Sequence, residues 1–165
     1  MILDLKKGLY LRSELSEQDV GNLVANGYGL YETRISTKHP KIEYLVKVRP
    51  NESEEHAFLC WWTESLLVKR GIRPKLVAAR GPDLEIKWKG KLICFEVETG
   101  KRFRYMKRTE MAARFSERGR QYAEVYLIVP SERIGRTYRD FCSNIITKAE
   151  LEHFIDSFIS SHTTL

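Results

Sequence analysis

The sequence predicts a mixed α/β protein, with α+β segregation around a mixed sheet, and three observations predict it. Two period-two runs, Asp83–Trp88 and Lys91–Glu98, meet at Lys89-Gly90, the signature of a tight hairpin. The run Glu124–Val129, apolar from Val125 onward, ends at Pro130 and reads as a buried strand. Between and around these runs lie helical patterns, 53–70, 100–119 and 148–160.

Taken in order, Leu3–Leu11 reads as an extra strand. Ser16–Asn26 reads as a short helix with Ser16 as cap and Gly27 as stop. Strands Leu30–Ser36 and Ile42–Val48 follow, around Thr37-Lys38-His39-Pro40. These first 50 residues read as a small N-terminal α+β subdomain, with a winged-helix-like module as the other reading. Residues 51–165 read as the main domain.

The main domain opens on a helix over 53–70. Ser53 suits its cap, Glu54 and Glu55 its first turn, Lys69-Arg70 its last turn, and Gly71 its stop. Its buried stripe is expected at Glu55, Leu59, Trp62 and Leu66 with Phe58 alongside, so an acid opens an apolar face. Glu54 and Glu64 read as surface charges. Strands near Pro74–Ala79, Asp83–Trp88 and Lys91–Glu98 come next, then a helix from Gly100 to Gly119 capped by Thr99 with apolar Phe103, Met106, Met111, Ala112 and Phe115. After the 124–129 strand a turn-rich stretch contains Gly135, and the last helix buries Leu151, Phe154, Ile155 and Phe158.

Length and composition bound the function. At 165 residues the chain can bury a core. It has no apolar run of bilayer length, and Met1-Ile2-Leu3-Asp4-Leu5 lacks the form of a signal peptide. Cys60, Cys94 and Cys142 are odd in number and sit in apolar patterns, so reduced thiols in an intracellular, cytoplasmic protein are expected. The net charge of +6 is localised. Lys101 to Arg120 holds eight Lys or Arg against Glu110 and Glu117, and the rest of the chain is balanced. One cationic segment directly after a carboxylate cluster reads as a polyanion track, which makes Lys101, Arg102, Arg104, Lys107, Arg108 and Arg114 candidate nucleic-acid contacts, with Phe103 and Tyr105 interleaved for base contact.

The chemistry is concentrated at Gly81-Pro82-Asp83 and Phe95-Glu96-Val97-Glu98. Period two puts Glu96 and Glu98 on one face of their strand, about 7 Å apart at Cα, with Ile93, Phe95 and Val97 on the other. Asp83 opens the neighbouring strand, so three acids can converge at one end of the hairpin. Hard oxygen ligands of this kind hold Mg²⁺ or Mn²⁺, and such an ion can generate hydroxide and neutralise charge at a phosphodiester. Asp83, Glu96 and the Val97 carbonyl are the candidate metal ligands. Glu98 is a candidate general base or second-metal ligand, and Glu55 a candidate fourth acid. His56 and Cys60 have zinc-like i, i+4 spacing, but without a second pair they read as a helix-end histidine beside a core thiol. Trp61-Trp62 reads as packing.

On these residues and this element order, residues 53 to 130 resemble the PD-(D/E)XK nuclease superfamily, the restriction-endonuclease-like and Holliday-junction-resolvase-like group. The resemblance implies an αβββαβ core with an acid on its first helix (Glu55), Pro-Asp on its second strand (Asp83), and an acid-x-Lys on its third (Glu96). Glu98 stands where most members carry lysine, as in the Glu-x-Glu variants, and Lys101 is then the candidate that returns an ammonium to the site. What the resemblance implies is a metal-dependent endonuclease acting on DNA, as a homodimer if both strands are to be cut. The alternative is a non-catalytic DNA-binding or regulatory protein on the same fold.

Overall fold

The computed structural model describes residues 3–77 and 81–161. Met1 and Ile2, and Ala78 and Ala79 at the end of the first expected core strand, lie outside the described residues. The chain forms two compact units, Met1–Ser65 and Leu66–Leu165, and the boundary falls within a helix.

The first unit carries a three-stranded antiparallel sheet in the order β1-β3-β2, from β1 (Leu9–Leu11), β2 (Tyr28–Thr33) and β3 (Ile42–Lys47). Helix α1 (Glu17–Ala25) begins at a complete capping box. Ser16 Oγ accepts from the Asp19 N–H, and the Asp19 carboxylate accepts from the Ser16 N–H. Tyr10, Leu15, Leu23, Tyr28 and Leu45 form its core. Helix α2 (Glu54–Lys69) starts here and departs from the expected single stripe. Ala57, Phe58, Leu59 and Cys60 are buried in succession, and so is Thr63, because a helix covered on several sides needs no polar face. Phe58 packs on Tyr31 and Tyr44 with ring centroids 5.2 and 5.0 Å away. Trp61 donates its indole N–H to the Lys47 carbonyl at 2.8 Å.

The second unit is built on a five-stranded mixed sheet in the order β4-β5-β6-β7-β8. Strands β4 (Lys75–Leu76), β5 (Leu84–Trp88) and β6 (Lys91–Val97) form an antiparallel meander. Lys89 and Gly90 both have positive φ, 47° and 79°, the two-residue turn that the twist of a hairpin favours. Strands β7 (Glu124–Val129) and β8 (Ile145–Thr147) then run parallel to β6, connected through α3 (Arg108–Gln121) and α4 (Glu132–Tyr138). Helix α5 (Leu151–Ser160) closes the unit. From α2 to β7 the order is helix, three strands, helix, strand.

The expected helix over 100–119 is interrupted. Gly100 is left-handed at φ 83°, residues Lys101–Arg104 make a 3-10 turn, and α3 restarts at Arg108 after an extended Lys107. The Glu110 carboxylate accepts from the Lys107 N–H at 2.8 Å and fixes that restart. The turn-rich stretch around Gly135 is helix α4 followed by strand β8. A Cβ at Gly135 would approach Ile145 Cγ2 to 3.1 Å, so this glycine permits close packing of α4 on β8 rather than a turn.

Candidate functional site

The register of β5 and β6 pairs Leu84 with Phe95, which brings Asp83, one residue earlier, alongside the Glu96–Val97 end of β6. Asp83 Oδ2 accepts from the Val97 N–H at 2.7 Å. Glu96 points to the face covered by α3, and so does Glu98 one residue beyond the strand; both are fully buried, at 0% and 1% exposure. The convergence of Asp83, Glu96 and Glu98 thus follows from hairpin register and strand period.

What meets these carboxylates comes from α3 and its flanks. Arg114 bridges the two glutamates with one guanidinium: Nη2 donates to Glu96 Oε2 at 2.6 Å and Nη1 to Glu98 Oε1 at 2.5 Å. Arg118, one helical turn on, donates Nε–H to Glu96 Oε1 at 2.5 Å. Glu98 has two further partners. The Arg102 Nε lies 3.3 Å from its Oε1, and the Tyr138 hydroxyl donates to its Oε2 at 3.0 Å. All four carboxylate oxygens of Glu96 and Glu98 are therefore engaged.

The electrostatics follow from burial. Desolvation pushes the Glu96 carboxyl up against the opposing pull of Arg114 and Arg118. Burial works to lower Arg114, but Glu96 and Glu98 outweigh it and hold its guanidinium above its ordinary value. Tyr138 is raised by burial and then by Glu98. The Cys94 thiol, two residues before Glu96, is pushed up to about 12 by burial and then by the Glu96 charge.

The donor types suit a hard divalent ion, yet the arrangement does not fit one. Two carboxylates sealed from water already have every oxygen accepting from a guanidinium or a phenol, so a hydrated ion would have to displace those donors. Three acids facing three arginines also make a neutral cluster. Among the described residues, the one group of acids, histidines and cysteines close enough to share an ion is Glu52, His56 and Cys60, in the first unit.

The remaining sequence-derived residues are dispersed. Lys101 is exposed and has no acid partner among the described residues; Arg102 reaches Glu98 instead. Glu55 is half-buried on α2 in the first unit, where it adds to burial in raising the Tyr31 hydroxyl. Glu64, expected as a surface charge, is partly buried, and burial raises its carboxyl. Of the six cations read as nucleic-acid contacts, Arg102 and Arg114 turn to the acids, whereas Lys101, Arg104, Lys107 and Arg108 are exposed. Arg108 pairs with Asp140 at the surface. Tyr105 stands among them at 74% exposure. Two residues of the cluster, Arg118 and Tyr138, were not expected from the sequence. The first carried a signal, its i+4 spacing from Arg114, and the second lies in α4, where a turn was expected.

No helix among the described residues is long and apolar enough to cross a membrane. No family model, no curated protein and no solved structure matches the chain.

Proposed function

We propose that the protein binds DNA through the cationic segment that leads into α3, and that its acid cluster is a neutral strut joining α3 to the sheet. The observation that carries this reading is the contrast in exposure. Lys101, Arg104, Lys107 and Arg108 are exposed around the solvent-facing ring of Tyr105, a combination suited to phosphates and to a stacked base. Glu96 and Glu98 are instead buried and neutralised by Arg102, Arg114 and Arg118.

A second reading, metal-dependent endonuclease, is favoured by one specific observation. The order α2-β4-β5-β6-α3-β7, with Asp83 just before the second core strand and Glu96 on the third, supports the resemblance to the PD-(D/E)XK pattern. That reading requires Arg114 to leave Glu96 and Glu98 before Mg²⁺ or Mn²⁺ can reach Asp83, Glu96 and the Val97 carbonyl. It also requires a second copy of the chain if both strands are to be cut.

Anisotropy titration of a labelled duplex over a range of salt tests the first reading. The triple change R104A/K107A/R108A is expected to weaken binding to all sequences and to flatten the log–log salt slope by about 0.9 for each phosphate that is no longer neutralised. Removing Lys38 and Lys41, which lie outside the cationic segment, is expected to change little. The reverse pattern would move the interface to the N-terminal unit. Incubating supercoiled DNA with Mg²⁺, Mn²⁺ or chelator separates the two readings. Intact DNA supports the binding protein, and metal-dependent nicking that is abolished in D83A supports the nuclease.

A further inference from the structure

Glu52, His56 and Cys60 are spaced i, i+4 and i+8, so one stripe running from just before α2 into its second turn carries a carboxylate, an imidazole and a thiol. Each is held in place. Glu52 Oε2 accepts from the Arg49 N–H at 3.0 Å, which leaves Oε1 facing the histidine. The His56 N–H lies 3.4 Å from Ser53 Oγ, which fixes the first turn. Cys60 is 6% exposed, and the Glu52 and His56 side chains are 13% and 20% exposed.

The three ligand atoms converge on one point. His56 Nδ1 lies 2.7 Å from Glu52 Oε1 and 3.7 Å from Cys60 Sγ, and all three atoms lie within 4.8 Å of one another. A neutral imidazole nitrogen offers one hydrogen or one lone pair, so Nδ1 cannot make a full hydrogen bond to both neighbours at once. A cation at the centre satisfies all three. Tetrahedral zinc with Zn–S near ~2.3 Å and Zn–N near ~2.05 Å sets a sulfur–nitrogen edge of about 3.6 Å, close to the spacing already present. The oxygen–nitrogen edge would open by roughly 0.7 Å, one small rotation of the Glu52 side chain.

We propose that Glu52, His56 and Cys60 form a binding site for a borderline divalent ion of the zinc class, with a fourth tetrahedral position for water or an incoming ligand. The donor set decides the class: a thiolate and an imidazole select zinc or cobalt over magnesium or calcium. Ion binding displaces the thiol proton of Cys60 to solvent and moves the imidazole hydrogen to Nε2, leaving Nδ1 as ligand. A thiolate, a carboxylate and a dication sum to zero charge, which suits a mostly buried position. This site does not depend on the DNA-binding reading, since its residues belong to the first unit and the cationic segment to the second.

The test is a titration of the purified full chain with Co²⁺ in a non-thiol reductant. One equivalent is expected to bind with the visible absorption of tetrahedral cobalt and a thiolate-to-cobalt charge-transfer band in the near ultraviolet, both bleached by Zn²⁺. C60A, which keeps a small apolar side chain, is expected to lose the charge-transfer band, while C94S and C142S keep it. E52Q, whose amide oxygen can still accept from the Arg49 N–H, is expected to bind at least as much more weakly as removal of a supporting group makes it, about 10–100-fold. Zn²⁺ should raise the thermal midpoint of the wild type and not that of C60A. Absence of the band, its persistence in C60A, or affinity unchanged in E52Q would each overturn the site.

Discussion

The two faces of the five-stranded sheet are made by the same strands and solve burial in opposite ways. One face is aromatic. Phe95 stacks on Tyr126 at 5.5 Å, Tyr126 packs on Phe154 and Phe158 of α5, and Trp88 reaches Phe158. The other face, under α3, holds Cys94, Glu96 and Glu98 with Arg114, Arg118 and Tyr138 beside an apolar cluster of Met111, Phe115, Leu127 and Val129. Strand β6 contributes to both through its period of two. A buried carboxylate pair is as demanding as an aromatic core: removing one partner leaves the opposing charge buried without its counterion.

The largest expected effect breaks this symmetry directly. Glu96→Ala takes the carboxylate away from Arg118, which is 7% exposed, and from one side of Arg114, so it should cost about 3–5 kcal/mol. Phe95→Ala, on the other face, should cost a similar ~3–5 kcal/mol through weaker burial and a cavity. The distinction lies in repair. Replacing Glu96 and Arg118 together by Met should recover much of the single-variant deficit, because apolar residues of similar volume often replace a buried ion pair without cost. Urea denaturation of the single and double variants measures this. If Glu96→Ala unfolds at the wild-type midpoint, the cluster is not a strut and a role as metal ligand regains ground.

The element order and the apolar face of β6 were legible in the sequence, and the ionic pairing was not. Alternation in 91–98, the Lys89-Gly90 turn and the apolar 124–129 run are local signals, and β5, β6 and β7 fall within a residue of the expected bounds at each end. Ser16 and Gly27 marked α1 for the same reason. The α3 partners of Glu96 and Glu98, by contrast, lie 16, 18 and 22 residues away, and the i, i+4 spacing of Arg114 and Arg118 puts them on one helix face without saying that this face turns inward. The cationic segment therefore reads as one exposed track, although Arg102, Arg114 and Arg118 face the acids. Gly135 misleads in another way: a glycine required for close approach to Ile145 has the same letter as one required for a turn. Helix α4, and with it Tyr138, is hidden by that ambiguity.

Two tyrosines sharpen the comparison at intermediate size, since each donates its hydroxyl to a glutamate on its own side. Tyr138 is fully buried and donates to Glu98 at 3.0 Å, whereas the partly exposed Tyr126 donates to Glu124 at 2.6 Å. Tyr138→Phe removes one of the partners that neutralise a buried charge and should cost about 1.5–3 kcal/mol. Tyr126→Phe leaves Glu124 with water and Lys91, and should cost about 0.5–1.5 kcal/mol. Chemical denaturation of the two variants side by side gives the ranking. A larger effect for Tyr126→Phe would mean that the acid cluster is more open to water than its burial implies.

The smallest expected effect concerns the sign of the acid response, which differs between the cluster and the start of α5. Hydrogen bonds from the Thr147 hydroxyl and N–H, at 2.6 and 3.0 Å, hold the Glu150 carboxyl below its ordinary value. A carboxyl lowered on folding contributes stability that is fully present above its unfolded value and is lost as pH falls through the folded one. Glu96 is raised by burial, so it binds its proton more tightly in the folded protein, and its contribution weakens as pH rises from the ordinary carboxylate range through the raised value. Glu150→Gln cannot titrate, and its side-chain oxygen can still accept from Thr147. The stability gap between wild type and Glu150→Gln should therefore be widest near neutral pH and close as pH falls below the ordinary carboxylate range. Urea midpoints measured across that range for both proteins give the gap directly, and a gap that widens on acidification would reverse the assigned direction at Glu150.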